Sequence, residues 1–277
     1  MNIHILTVPY DSGMYGVRMG AGPERLLACG LRERLVTSGH DVSVGEILAA
    51  SAEVPSEVDT AASILTGLSY SVSSAVGDNR FPIVLAGSCY SAVGTVAGLS
   101  PPHPGVVWFD SHGDLNTPET TESGFMDGMA VSMLTGRCWR TILAKIPDFH
   151  PIPDEALLML GIRDLDSPEI DVIERSNISV LSPERVRGDI VGVASLAKSM
   201  DRVYVHLDLD VLDPTEGRAN ALAAPNGLHA DELYGLLQAL RAQVEIGAIA
   251  LTAYDPRCDP QGKVANVAIK AVEAVVG

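Results

Sequence analysis

The segment Val106-Val107-Trp108-Phe109-Asp110-Ser111-His112-Gly113-Asp114 runs an apolar stretch into three side chains that can hold a metal ion, at positions i, i+2 and i+4. In extended backbone alternate residues point to one side, so Asp110, His112 and Asp114 share a face. The segment Val203-Tyr204-Val205-His206-Leu207-Asp208-Leu209-Asp210 repeats the design, with two carboxylates two residues apart. If the two strands are neighbours, all five groups converge at the carboxyl edge of a parallel sheet, where open α/β sheets take their ligands. Four carboxylates so close repel one another at neutral pH unless cations lie between them. Two divalent ions ~3.5–4 Å apart resolve the repulsion and acidify a shared water to near neutrality, which is hydrolytic chemistry. A lone Asp-x-Asp more often caps a helix or ends a strand; two Asp-rich segments after strongly apolar strands point to metal.

The elements that must position these residues follow a βαβ rhythm. Strand patterns at Ile3–Val8, Val42–Ile47, Ile83–Ala86, Val106–Phe109, Leu157–Leu160, Ile178–Leu181, Val203–Leu207 and Ile246–Leu251 alternate with helical ones. The helical patterns cover Glu24–Ser38, Ala61–Val76, a stretch after Ser91, Ser167–Arg175, Val191–Met200, Ala230–Ala242 and Val264–Val276. About eight strands in a mainly parallel sheet covered on both faces, a three-layer α/β/α fold, is the expectation. Two long connections, Pro9–Pro23 and Leu115–Gly128, break the rhythm, and long loops in such domains are usually functional. No low-complexity tract, linker or repeat divides the 277 residues, so 1–277 reads as one domain.

Apolar residues make up 47% of the chain and charged residues 19%, enough apolar surface for a large core. The formal charge of -16 argues against nucleic acid and anionic membrane as partners, because Lys and Arg carry that kind of binding. No stretch approaches the ~20 apolar residues of a membrane span, and Met1-Asn2-Ile3-His4 lacks the start of a signal peptide, so the cytoplasm is the expected location. Cys29, Cys89, Cys138 and Cys258 are scattered without a Cys-x-x-Cys, which indicates neither a disulfide framework nor a zinc knuckle.

Over nearly its whole length the sequence resembles the ureohydrolases: arginases, agmatinases, formimidoylglutamases and relatives. The resemblance lies in Gly20-Ala21-Gly22-Pro23, the Asp110–Asp114 segment, Gly161-Ile162-Arg163-Asp164, and His206-Leu207-Asp208-Leu209-Asp210-Val211-Leu212-Asp213-Pro214. It implies an arginase-like fold, a small-molecule amino-acid substrate and a homo-oligomer, a trimer or hexamer. It further implies two divalent metal ions bridged by Asp110 and Asp208, with Asp114 completing one and His112 with Asp210 the other. The family's remaining ligand, a His, corresponds to Cys89 in Ala86-Gly87-Ser88-Cys89. Manganese is typical of the family but hard, whereas a thiolate is soft, so zinc, iron or cobalt gain ground. The alternative for Cys89 is a small buried apolar residue. The hydroxyarginine hydrolase branch is similar in its Cys at this position and its His before the Asp-x-Asp.

The loop Asn116–Gly124 resembles the arginase segment that binds a substrate α-carboxylate, through Asn116 and Ser123, and Asp166 matches the acceptor of the α-amino group. From the residues alone, a polar turn and a helix N-cap serve equally well. Two family residues are replaced: the proton-shuttle His by Asp127, and the Glu that pairs with a guanidinium by Ala253. Asp255 and Tyr254 are candidates to compensate for Ala253. His206 is placed to relay a proton, to support a ligand, or to fill the core. The resulting expectation is a metal-dependent hydrolase acting on a C–N bond of a guanidino or hydroxyguanidino amino acid, with Asp114, Asp127 and His206 as catalytic candidates. The alternatives are agmatinase or formimidoylglutamase chemistry, or a non-catalytic binding homologue.

Overall fold

The computed structural model describes residues 1–50, 56–99, 102 and 104–277. Strands β1 (Asn2–Val8), β2 (Asp41–Glu46), β3 (Phe81–Ala86), β4 (Gly105–Phe109), β5 (Leu157–Leu160), β6 (Ser179–Leu181), β7 (Arg202–Asp208) and β8 (Glu245–Thr252) form one sheet. Its order is β2-β1-β3-β8-β7-β4-β5-β6, and every pairing is parallel. The sheet is thus wholly parallel, which fits strands buried on both faces.

Alternation along the strands divides the core in two. Val107 and Phe109 of β4 and Val205 and Leu207 of β7 enter one apolar cluster, and Val106, Trp108 and Tyr204 enter the other. The principal helices are α1 (Gly22–Ala28), α2 (Leu31–Thr37), α3 (Glu57–Gly77), α4 (Ser91–Leu99), α5 (Ser167–Arg175), α6 (Ala230–Arg241) and α7 (Lys263–Val276). Buried residues of α1, α2, α6 and α7 line the first cluster; those of α3 and α4 line the second. In α3 the buried Ile64, Leu65, Leu68, Val72 and Ala75 recur three or four apart, the spacing of one helix face.

Two expected helices are shorter than their patterns. Glu24–Ser38 divides into α1 and α2 because Gly30, at φ +94°, takes a left-handed conformation that ends one helix and turns the chain into the next. Val191–Met200 becomes a short helix, Ile190–Ser195, continued by a 3-10 turn at Leu196–Ser199. The Pro9–Pro23 connection carries a ribbon of Tyr10–Asp11 paired with Met14–Tyr15, then a 3-10 turn at Arg18–Ala21. It lies across the end of β3: a side chain at Gly87 would collide with the Tyr10 carbonyl and approach the Gly20 Cα to 2.8 Å. That close backbone approach accounts for glycine at Gly87 and brings Asp11 and Arg18 to the carboxyl edge.

Candidate metal centre

The sheet order places the carboxyl ends of β3, β8, β7 and β4 side by side. In register, Trp108 faces His206 and Thr252 faces Asp208. Asp110 follows β4 directly, Asp208 ends β7, and the Gly87-Ser88 turn after β3 delivers Cys89. Ligand atoms of Cys89, Asp110 and Asp208 lie within 4.8 Å of one another, as do those of Asp110, His112 and Asp210. Asp110 belongs to both groups. Asp114 belongs to neither, although its carboxyl is buried against Asp110, Asp127 and Asp208.

Local hydrogen bonds fix these carboxylates. Asp110 Oδ1 accepts from the His112 N–H at 2.8 Å and Oδ2 from the Trp108 indole at 3.0 Å. Asp208 Oδ1 accepts from the Asp210 N–H at 2.8 Å. Asp210 accepts from the Ser111 hydroxyl at 2.7 Å and the Asn220 amide at 3.0 Å. His112 Nδ1 lies 3.3 Å from Asp110 and 3.5 Å from Asp210. Asp114 takes a left-handed backbone, φ +50°, and its buried Oδ2 has no hydrogen-bond partner among the described residues. An orphaned buried carboxylate oxygen costs about 1–3 kcal/mol or more, so it marks a place for a cation or a donor from outside the chain.

The electrostatics agree. Burial, reinforced by neighbouring carboxylates, pushes Asp114 and Asp208 well above the usual carboxylate range. Burial also raises Asp110, against the pull of His112. For Asp210 burial is overcome by His112 and by hydrogen bonds from Ser111 and Asn220, and its pKa falls. For His112 burial is outweighed by Asp210, Asp110 and Asp164, which raise it to about 10. Burial pushes the Cys89 thiol well up, with Asp127 and Asp208 adding to the effect. A set of one thiol, one imidazole and four buried carboxyls, of which Asp110, Asp114 and Asp208 resist losing their protons, fits divalent cations, which stabilise the deprotonated forms.

A cleft of about 660 Å³ opens onto this centre, lined by Cys89, His112, Asp114, Asp208 and Asp210 among others. Among the described residues ten carboxyl groups line it against two arginines, and both arginines are already bound, Arg18 to Asp11 and Arg257 to Asp255. The cleft is therefore strongly electronegative and suited to cationic ligands. Asn116 and Asp166 meet on its wall, the amide donating to Asp166 Oδ2 at 2.8 Å. Asp166 is also the N-cap of α5. Ser123 lies at the exposed rim, where its Oγ accepts from the Phe125 N–H at 3.1 Å. Asp127, buried in the wall, accepts from the Tyr90 N–H at 3.2 Å, and burial holds its pKa well up.

The Arginase family profile matches residues 1–277. The chain belongs to the arginase family. It is 30% identical to the arginase of Bacillus caldovelox over 295 residues, covering 99% of this chain and 98% of that one. The arginase of Staphylococcus aureus (strain MRSA252) is 28% identical over 296 residues, with 99% and 97% covered. The solved B. caldovelox arginase superposes with a TM-score of 0.91 at 27% identity, over 100% of this chain and 98% of that one. The arginase family implies a binuclear metal site, and the donor set just described fits one.

Several site residues carry no signal in the sequence. Asn220 comes from an irregular loop, yet it is buried against Asp210 and also donates to the Ala253 carbonyl at 2.9 Å. Glu169 accepts from the Leu115 and Asp166 N–H groups, both at 2.9 Å, and so ties the long loop to α5. Thr252, at the end of β8, lies 3.2 Å from Cys89 Sγ; its only cue is an inward position on a terminal strand residue. Of the two candidates to replace the guanidinium-pairing Glu, Tyr254 turns into the core and donates to Asp259 at 2.9 Å. Asp255 reaches the cleft but is bound to Arg257 at 2.6 Å. His206 is fully buried and does not line the cleft.

Proposed function

We propose that this chain hydrolyses a C–N bond of a guanidino or hydroxyguanidino α-amino acid, using two divalent ions held between β3, β7 and β4. The observation that carries this reading is the pair of ligand groups sharing Asp110 at the floor of an electronegative cleft, in a chain of the arginase family. Cys89, Asp110, Asp114 and Asp208 would hold one ion, and Asp110, His112, Asp208 and Asp210 the other. When bound, the ions supply the Lewis acidity that makes water a nucleophile near neutral pH. Manganese is the choice by family, and the softness of Cys89 favours zinc, iron or cobalt beside it.

In this reading Asp166 receives the substrate α-amino group, and Asn116 with Ser123 orients the α-carboxylate by hydrogen bonds that add no negative charge. Asp114, whose Oδ2 is unpartnered, steadies the reacting centre. Asp127, whose pKa burial raises, is the group placed to deliver a proton to the departing nitrogen. Ala253 leaves no carboxylate for a guanidinium at its position, and a less basic hydroxyguanidine needs none, so hydroxyarginine fits at least as well as arginine. We further infer one domain over 1–277 and a cytoplasmic location from the sequence pattern and, on the resemblance to the family, a homo-oligomer, trimer or hexamer.

The deciding experiment loads the protein with manganese, zinc, iron or cobalt in turn and measures release of the product amine, ornithine from arginine and hydroxyarginine, putrescine from agmatine, and the corresponding amine from guanidino acids. Loss of the α-carboxylate in agmatine should lower kcat/KM at least about tenfold, since polar groups left unpaired cost about 1–3 kcal/mol. Agmatine turning over faster than both amino acids, or Asp166→Ala leaving kcat/KM unchanged, refutes the amino-acid reading. Inactivity of a protein verified to hold two ions would favour the non-catalytic alternative.

A further inference from the structure

Behind Cys89 runs a buried chain of polar groups. The Tyr204 hydroxyl lies 2.8 Å from His206 Nδ1, His206 Nε2 lies 3.1 Å from Thr252 Oγ1, and Thr252 Oγ1 lies 3.2 Å from Cys89 Sγ. Tyr204, His206 and Thr252 are each 0% exposed. The His206 ring stacks on Trp108, with centroids 3.5 Å apart and planes 6° from parallel, and the Trp108 indole holds Asp110. One buried imidazole therefore indexes two proposed ligands, Cys89 through Thr252 and Asp110 through Trp108.

We infer that Thr252 and His206 are positioning residues that aim a hydroxyl proton at the Cys89 sulfur and hold it as the thiolate ligand of one metal ion. The inference rests on the proposed role of Cys89 as a ligand. In the arrangement we infer, the phenol of Tyr204 donates to Nδ1 and not to Thr95, its other hydrogen-bond neighbour, and a neutral imidazole carries its proton on Nε2 and donates to Thr252 Oγ1. The Thr252 proton must then go elsewhere, and two acceptors are near: the sulfur at 3.2 Å and the Leu207 carbonyl at 3.5 Å. For an O–H···O bond 3.5 Å is far outside the usual ~2.5–3.0 Å, whereas 3.2 Å is short for the larger sulfur atom, so the proton points at sulfur. Three donors in series thus converge on an atom that gains by being negative. As a free thiol Cys89 can donate its own proton to Asp208 Oδ2 at 3.0 Å or to Thr252 Oγ1 at 3.2 Å; as a metal-bound thiolate it would have no proton to give, and the Thr252 hydroxyl would turn to donate to the sulfur. With Tyr204 fully enclosed at its far end, the chain holds a charge in place and conducts no proton to solvent.

Cobalt-loaded protein tests this through its thiolate-to-cobalt absorption band. In Thr252→Val, which keeps the β-branched shape and loses the hydroxyl, the band should move to longer wavelength and affinity for one ion should fall roughly tenfold or more. Thr252→Ser should retain both values. In the unaltered zinc-loaded protein, ¹⁵N shifts of His206 should show the proton on Nε2, a measurement independent of any variant. A Thr252→Val protein with unchanged band and affinity, or His206 protonated on Nδ1, overturns the inference. If the unaltered cobalt protein shows no such band, with Cys89→Ser as the blank, Cys89 is not a ligand and the premise itself fails; a band that ignores Thr252 sinks only this inference.

Discussion

Asn220 offers the sharpest test of how the centre is built. It is 2% exposed, and its side chain makes three hydrogen bonds: to Asp210 Oδ2 at 3.0 Å, to the Ala253 carbonyl at 2.9 Å, and from the Leu222 N–H at 2.8 Å. Asn220→Ala removes all three. A bond to a charged acceptor contributes about 1.5–3 kcal/mol and a neutral one about 0.5–1.5 kcal/mol, and water entering from the cleft will recover part of the total. A net loss of about 3 kcal/mol follows, which at ~2–4 °C per kcal/mol lowers Tm by roughly 6–12 °C. Asp210 also loses a donor that holds its carboxylate in the ionised form, so affinity for the ion served by His112 and Asp210 should fall roughly 10–100-fold. Chelator competition measures the affinity, and thermal denaturation of metal-free protein measures the stability. Asn220→Asp, of the same shape but bearing a second carboxylate beside Asp210, should bind that ion with a different pH dependence. An Asn220→Ala protein that binds two ions within threefold of the parent affinity and melts at the parent temperature would falsify this account of the centre.

Other outcomes follow from the same geometry. Cys89→Ala should lose about one ion per chain, and Cys89→His should shift preference toward manganese because only ligand softness changes; full two-ion occupancy of Cys89→Ala by elemental analysis would exclude the thiol as a ligand. Asp110, Asp114, Asp127 and Asp208 have folded pKa values raised by burial, so in metal-free protein their stabilising share is full below the unfolded value of ~3.9 and is lost as pH rises through the folded values. His112, also raised, adds to that loss, its share being full below ~6.5 and lost as pH rises toward about 10; Asp210, lowered, works the other way but titrates only below ~3.9. The rise in Tm on adding metal should therefore be larger at pH 8 than at pH 5, and calorimetry showing the reverse order contradicts the burial argument. Arg163 donates to the carbonyls of Gly161, Asp210, Val211, Leu212, Ala224 and Pro225, so Arg163→Met should cost about 3 kcal/mol or more in urea denaturation, and Arg163→Lys should recover little because an ammonium cannot span that fork. Ala253→Glu should raise the preference for arginine over hydroxyarginine; an unaltered ratio of kcat/KM values removes Ala253 from the specificity argument.

Much of this centre is local and therefore readable from the chain alone. A strand buried on both faces writes itself as an apolar run, and Asp110, His112, Asp208 and Asp210 stand at fixed offsets from the ends of two such runs, so their types, spacing and common edge follow from backbone geometry. Cys89 was legible only through resemblance, because nothing in its neighbours distinguishes a ligand from a small buried residue. What tertiary structure decided is non-local. The order β3-β8-β7-β4 sets Cys89 and Thr252 against Asp208, and pairing between strands distant in sequence leaves no mark in either one. His206 shares the strand face of Asp208, as alternation requires, but only the Trp108 ring on the neighbouring strand determines that it stays behind the ligands and out of the cleft. Asn220 reaches Asp210 from an irregular loop with no period to read, and the left-handed turn at Asp114, φ +50°, departs from the extended backbone that its spacing from Asp110 and His112 suggests. Such turns answer to the packing around them, and packing is a property of the folded chain.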